Sequence, residues 1–371
     1  MGAGYSMISK ADSKLFSTNF LFYPREPLGT LLYQKFNDKK NSNFMKKLKF
    51  KPLLLFLSIV SFLVSCQEDL DSSPILAPVE TGLLNRTFFH ENKQLEYALY
   101  IPTSYTGNEE VPLVVYLHGA PENKELAQSS TDFIDVSESQ GFIMLYPEAG
   151  HAGSGGFIWA EGRGGIADAR SDVSYINALV DAVTEELKID PSKRYLCGFS
   201  NGGFMVQNVA NQDNSRFAAM ATVSASLHET FANTSPNPIS MLYIYGTDDP
   251  ITNYENGGLP PTAFNVDGWT VPALAIESAV DYWVGINGCN TTPKETDLAD
   301  SDSGDNSTVT VLEYSNGTGG TEVKFYRING GGHTWPGLPI NNRPTALFED
   351  TNKDIKAGKE IWEFFKKFER N

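Results

Sequence analysis

Arg194-Tyr195-Leu196-Cys197-Gly198-Phe199-Ser200-Asn201-Gly202-Gly203-Phe204-Met205-Val206 is the stretch on which the fold turns. Its first part, through Gly198, is strand-like, while Phe204, Met205 and Val209 fall on one face of a following helix. Between them Gly198-Phe199-Ser200-Asn201-Gly202 matches Gly-x-Ser-x-Gly, in which glycines permit a sharp strand-to-helix turn that lifts a serine clear of a sheet. The five-residue pattern alone is weak. Its setting between a strand and a helix makes it informative.

Outward from this turn, short apolar runs alternate with helical stretches. Strands are predicted at Leu95 to Ile101, Leu113 to Leu117, Phe142 to Tyr146, Arg194 to Gly198, Ala218 to Val223, Met241 to Tyr245 and Glu322 to Ile328. A crossover helix is read from Val173, Ile176, Val180, Val183 and Leu187. Further helices are expected just after Ser200, over Ala273 to Val284, and over Asp354 to Phe368. The alternation gives an α/β class, a doubly wound and mostly parallel sheet with helices on both faces. Asp297 to Asn306, rich in Asp, Ser and Gly, lacks the spacing of a calcium loop and reads as a solvated connection.

A chain of 371 residues with 41% hydrophobic content can bury one large core of this kind. Its net charge of -16 is unevenly spread: residues 1–66 hold 10 Lys+Arg against 3 Asp+Glu, and the rest carries a net of -23. So acidic a body repels nucleic acid and anionic lipid, which excludes a phosphate-backbone partner. The basic front reads as an address. Lys46, Lys47, Lys49 and Lys51 precede the apolar run Leu53 to Val64, too short to span a bilayer and suited to a secretion signal. The run ends in Leu63-Val64-Ser65-Cys66, which resembles the lipobox of bacterial lipoproteins, with Cys66 as the lipid attachment site. The expected organisation is an upstream extension over residues 1–44 with Met45 as the start, a signal peptide over 45–66, a tether over 67–84 and the α/β domain over 85–371. Export with a lipid anchor follows, the membrane being met only through that anchor. Cys197 and Cys289 are expected to be free thiols.

A serine hydroxyl needs a positioned base. Among five histidines, His333 stands in Gly330-Gly331-Gly332-His333-Thr334-Trp335-Pro336-Gly337, after the last predicted strand. The base needs a carboxylate to fix its tautomer, and Gly246-Thr247-Asp248-Asp249-Pro250 follows the strand Met241 to Tyr245. Spacing leaves Asp248 and Asp249 as alternatives. The chain order Ser, Asp, His is that of the α/β-hydrolases. For an oxyanion, donors are expected from the backbone N–H of Asn201 and from that of Ala120 in the loop His118-Gly119-Ala120. His118 is read as shaping that turn. Trp159 and Trp335 are candidates for lining a substrate pocket. The chemistry requires no metal or cofactor.

The segments His118-Gly119, Asp172-Val173, Gly198-Phe199-Ser200-Asn201-Gly202-Gly203, Gly246-Thr247-Asp248-Asp249-Pro250, Asn287-Gly288-Cys289 and Gly332-His333-Thr334-Trp335-Pro336-Gly337 share an order. Over residues 85–370 the chain resembles the poly(3-hydroxybutyrate) depolymerase and feruloyl esterase group of α/β-hydrolases. The resemblance implies Ser200 as nucleophile, His333 as base and, from its Gly-Thr-x-Asp pattern, Asp249 as acid. It also implies a carboxylic ester substrate, either a feruloyl or acetyl group on a polysaccharide or a polyester. Two other classes compete. A non-catalytic glycan-binding lipoprotein on this fold is expected to have lost Ser, His or Asp, and none is lost. A serine peptidase on the fold is expected to carry a propeller domain, of which the sequence bears no sign.

Overall fold

In the computed structural model, the structure describes residues 79–153, 156–162, 171–257, 272–338 and 351–370. The upstream extension, the signal peptide, Cys66 and most of the tether lie outside the described residues.

A hairpin opens the domain: β1 (Gly82–His90) and β2 (Lys93–Ile101) pair antiparallel across Glu91 and Asn92. Both turn residues have positive φ, as a two-residue hairpin turn compatible with strand twist requires. Next come β3 (Val111–Leu117), α1 (Lys124–Ser129), α2 (Phe133–Gln140), β4 (Ile143–Pro147) and the small hairpin β5 (His151–Gly153) and β6 (Gly156–Ile158). Then α3 (Asp172–Glu186), β7 (Ile189–Phe199), α4 (Asn201–Gln212), β8 (Ala219–Val223), β9 (Ser240–Gly246) and α5 (Ile276–Asn287) follow. The chain closes with β10 (Lys294–Asp297), β11 (Thr308–Tyr314), β12 (Val323–Asn329) and α6 (Ala357–Phe365).

Ten strands form one sheet in the order β1-β2-β4-β3-β7-β8-β9-β12-β11-β10. The six central strands, β4 to β12 in that order, are parallel, and antiparallel strands extend both edges. Successive strand residues face opposite sides. Leu113, Val115, Leu117, Leu196 and Met220 pack against Ile176, Val183, Met205, Val209 and Trp283 from α3, α4 and α5. Val114, Tyr116, Tyr195, Cys197 and Ala221 pack against Ala127, Phe133, Ile361, Trp362 and Phe365 from α1, α2 and α6. The doubly wound arrangement expected from the sequence is the arrangement found.

All seven expected strands are present. Five strands, β1, β10 and β11 at the sheet's edges and the hairpin β5 and β6, and two short helices, α1 and α2, are additions to the expected elements. β1 starts at Gly82, inside the stretch read as tether, because its residues alternate between half-buried and exposed and pack on one side only. β10 is polar and exposed along its whole length, so hydropathy gives no sign of it. Helix α5 starts three residues later than expected because Leu274 donates its backbone N–H to Leu227 O at 2.8 Å; Gly288, at φ 64°, ends it. The Asp-rich connection is not simply solvated. Asp305 is buried, accepts from Ser307 N and Lys353 N, and fastens the turn at Ser303–Asp305 to the segment before α6. Among the described residues no group of three or more His, Cys, Asp and Glu side chains could hold a metal ion, and no helix is long and apolar enough to cross a membrane. Cys197 and Cys289 are both free and buried, and burial pushes both thiols above their usual pKa.

β7 is irregular at its start and regular at its end. Its pairing with β3 shifts register between Ile189 and Arg194, then runs unbroken from Arg194 to Gly198. The end of β7 is where the turn at Ser200 begins.

Candidate active site

Ser200 joins β7 to α4 with φ 52° and ψ -121°, a conformation that non-glycine residues adopt only when their surroundings enforce it. Here the enforcement is backbone packing. A Cβ on Gly202 would lie 2.1 Å from Leu117 O, and one on Gly198 would lie 2.4 Å from Gly202 O. Both positions therefore have to be glycine. The Ser200 N–H donates to Val223 O at 2.9 Å, which ties the turn to the end of β8.

The loop after β3 reaches the same place. Gly119 passes so close that a Cβ there would be 3.4 Å from the Ser200 Cβ. Glu122 accepts the Gly119 N–H on its carboxylate at 3.0 Å and donates its own N–H to Gly119 O, so the loop is bound on itself. His118 is fully buried; its Nε2 accepts from Ala149 N at 3.1 Å and its Nδ1 donates to Gly119 O at 2.7 Å. Burial holds its pKa below the usual histidine value, in keeping with the neutral ring these two bonds require. His118 thus shapes the turn. Asn201 faces the loop with its backbone at the first turn of α4, and its side chain clamps Trp159, accepting from Trp159 N at 2.8 Å and donating to Trp159 O at 3.3 Å.

His333 follows β12 and Asp249 follows β9, adjacent parallel strands. The His333 Nδ1 and Asp249 Oδ2 are 2.7 Å apart, with both side chains almost wholly buried. Asp249 Oδ1 accepts from Ile251 N and Thr252 N, each at 2.8 Å, which fixes the carboxylate against rotation. Asp248 is exposed and accepts from the Thr247 hydroxyl. The geometry therefore separates two aspartates that sequence spacing could not. Gly246, at the end of β9, permits the close approach of the histidine loop: a Cβ there would lie 2.1 Å from Gly331 O. The Phe199 ring, next in chain to Ser200, lies 5.0 Å from the His333 ring. Ser200, Asp249 and His333 are thereby gathered at the carboxyl ends of β7, β9 and β12, with Ala120 on the loop beside them.

The two tryptophans require correction. Trp159 is fully buried; its indole N–H donates to His118 O at 3.0 Å and its ring packs 5.3 Å from His118. Trp335 is buried and donates to Asp132 Oδ1 at 2.9 Å. Both are struts beneath the site and do not offer an open aromatic face. Sequence reasoning also missed Glu122, whose partner Gly119 is in its own loop, and Asp132 and the Asn201 side chain, whose partners are brought together by the fold and carry no spacing signal.

The comparisons bear on this geometry directly. Residues 95–248 match the sequence profile of the family described as Esterase PHB depolymerase. These residues are an esterase PHB depolymerase domain. The matched segment holds the turn at Ser200 and the loop after β3 and ends one residue before Asp249. The chain is similar to NocK of Nocardia uniformis subsp. tsuyamanensis, named as an esterase, with 28% identity over 239 residues, 64% of this chain and 69% of that one. It is similar to a bifunctional acetylxylan esterase/xylanase of Neocallimastix patriciarum, 27% identical over 42% of this chain and 22% of that one. Feruloyl esterase B of Piromyces equi is 26% identical over 62% of this chain and 41% of that one. The chain thus spans less than half the length of the last two relatives. Among solved structures, acetyl xylan esterase from Aspergillus awamori superposes with a TM-score of 0.50 at 17% identity, over 77% of this chain and 99% of that one, which shows a shared α/β-hydrolase fold. The matched domain and its named relatives make this chain an esterase, a serine hydrolase of carboxylic esters.

Proposed function

We propose that this esterase is exported and lipid-anchored through Cys66, and that it removes feruloyl or acetyl groups from plant polysaccharide with Ser200, His333 and Asp249 as its triad. One observation carries the triad: the 2.7 Å contact between His333 Nδ1 and an Asp249 carboxylate whose other oxygen is held by two backbone N–H groups. A proton on Nδ1 leaves the lone pair on Nε2, the tautomer that a general base requires. Ser200 Oγ then attacks the ester carbonyl as Nε2 takes its proton. The new Oγ–C bond forms, the C–O bond to the alcohol breaks, and Nε2 returns the proton to the alcohol. Water repeats the sequence on the acyl-enzyme and releases the acid. The oxyanion of each tetrahedral intermediate is received by the N–H groups of Asn201 and Ala120, the first at the positive end of α4.

The substrate class is supported by the names of the relatives, feruloyl esterase and acetylxylan esterase. The net charge of -23 over residues 67–371 also disfavours retention of the carboxylate product. Purified protein given methyl ferulate, acetylated xylan and a poly(3-hydroxybutyrate) film side by side should turn over one of the first two at least tenfold faster than it erodes the film. Preferential release of 3-hydroxybutyrate would replace the polysaccharide reading with a polyester one. Export rests on the sequence from Lys46 to Cys66. In a bacterial host fed labelled palmitate, the wild-type chain should take up label in the membrane fraction and Cys66→Ala should not; equal labelling of both removes the anchor.

A further inference from the structure

His333 lies on a loop outside strand and helix, after three consecutive glycines, Gly330 to Gly332, the first two of which are tied to the turn after β9 by Gly330 N donating to the Thr247 hydroxyl and Asp248 N donating to Gly331 O. Such a loop needs a fixed point close to the base. Trp335, two residues on, supplies one. Its ring meets Tyr116 edge-on at 5.5 Å and Phe133 at 5.6 Å, and the Phe199 ring lies 6.5 Å from Trp335 and 5.0 Å from His333. The indole is thus packed into the same aromatic group that touches the imidazole.

The end of that indole is held by Asp132, just before α2. Asp132 Oδ1 accepts from Trp335 Nε1 at 2.9 Å and from Gly358 N at 2.8 Å, and Oδ2 accepts from Lys359 N at 3.3 Å. Gly358 and Lys359 belong to the first turn of α6, whose N–H groups have no partners within the helix. Lys356, at the N-cap, provides no side-chain cap, so a carboxylate from 226 residues away serves instead. A negative charge is favoured there by the helix dipole. Asp132 is buried, and a Cβ on Gly358 would come within 2.5 Å of its Oδ1, so the helix closes directly over the carboxylate.

We infer that Asp132 is a positioning residue for His333, acting through the Trp335 indole: Asp249 sets the tautomer and direction of the imidazole, and Asp132 sets where its loop stands. The inference rests on the triad reading above. A displacement of about 1 Å in a reacting group costs on the order of 100-fold in rate.

Trp335→Phe keeps a ring in the aromatic group and leaves the α6 cap intact while removing the N–H. It should lower kcat on a short activated ester by about 10- to 100-fold, with KM changed less than about twofold. Asp132→Ala should do the same, and the double variant should be no slower than Asp132→Ala alone. Rates are taken per active site titrated with a fluorophosphonate, so that lost folding does not pass for lost positioning. The pH of half-maximal kcat/KM should stay where it is in both single variants. Full kcat per titrated site in Trp335→Phe, multiplied losses in the double variant, or a displaced pH midpoint would each overturn the inference. Ser200→Ala run alongside separates the two readings, because undiminished turnover there sinks the triad on which the inference rests, whereas a loss there with full rates in Trp335→Phe sinks the positioning role alone.

Discussion

Ser200→Ala should lower kcat on a short activated ester by about 10⁵-fold or more and abolish labelling by a fluorophosphonate probe. Removal of Oγ leaves no atom for His333 to activate, while the oxyanion donors and the fold remain, so residual rate reports binding and electrostatics alone. The substitution should leave thermal stability close to that of the parent, since Ser200 is only partly buried and its backbone N–H bond to Val223 O does not depend on the side chain. Undiminished hydrolysis, with the alanine variant confirmed by mass, would remove Ser200 from the mechanism and with it the whole constellation. A loss of activity accompanied by a collapse of Tm would mean the turn itself had failed.

Asp249→Asn and Asp248→Asn form the second decisive pair. The first should reduce kcat by about 10⁴-fold, because an amide in place of the carboxylate allows the opposite imidazole tautomer and gives the imidazolium no counter-charge. The second should fall within about twofold of the parent, since Asp248 faces solvent and touches the Thr247 hydroxyl. Steady-state rates on one ester decide it. A large loss at Asp248 with little at Asp249 would reverse the assignment made from the 2.7 Å contact.

Much of this site was legible because its chemistry demands particular residues at particular turns. Ser200 announces itself through glycines that backbone crowding makes obligatory, and His333 through a glycine-rich loop for the same reason. The parallel core was legible because strands buried on both faces are continuous apolar runs. What escaped reading depended on distance. Asp132 meets Trp335 across 203 positions, and Trp159 meets His118 across 41, contacts that no local pattern encodes. Without those contacts a tryptophan near a candidate histidine looks like a binding surface. Its buried N–H and its single committed acceptor show it to be framework. β10 failed for the opposite reason: an exposed edge strand of Lys, Glu, Thr and Asp has no hydropathy signature, and only pairing with β11 defines it.

The uneven pairing of β7 bears on how this sheet tolerates change. Side chains along a strand alternate with a period of two, so a single added or lost residue between Tyr195 and Phe199 exchanges the layers served by Leu196 and Cys197 and turns the serine through half a revolution. The same change between Ile189 and Arg194 falls where the pairing with β3 is already out of step. Parity is therefore enforced over the few residues that aim Ser200 and relaxed at the far end of the same strand. Tolerance and intolerance of a change in length thus adjoin each other on a single strand.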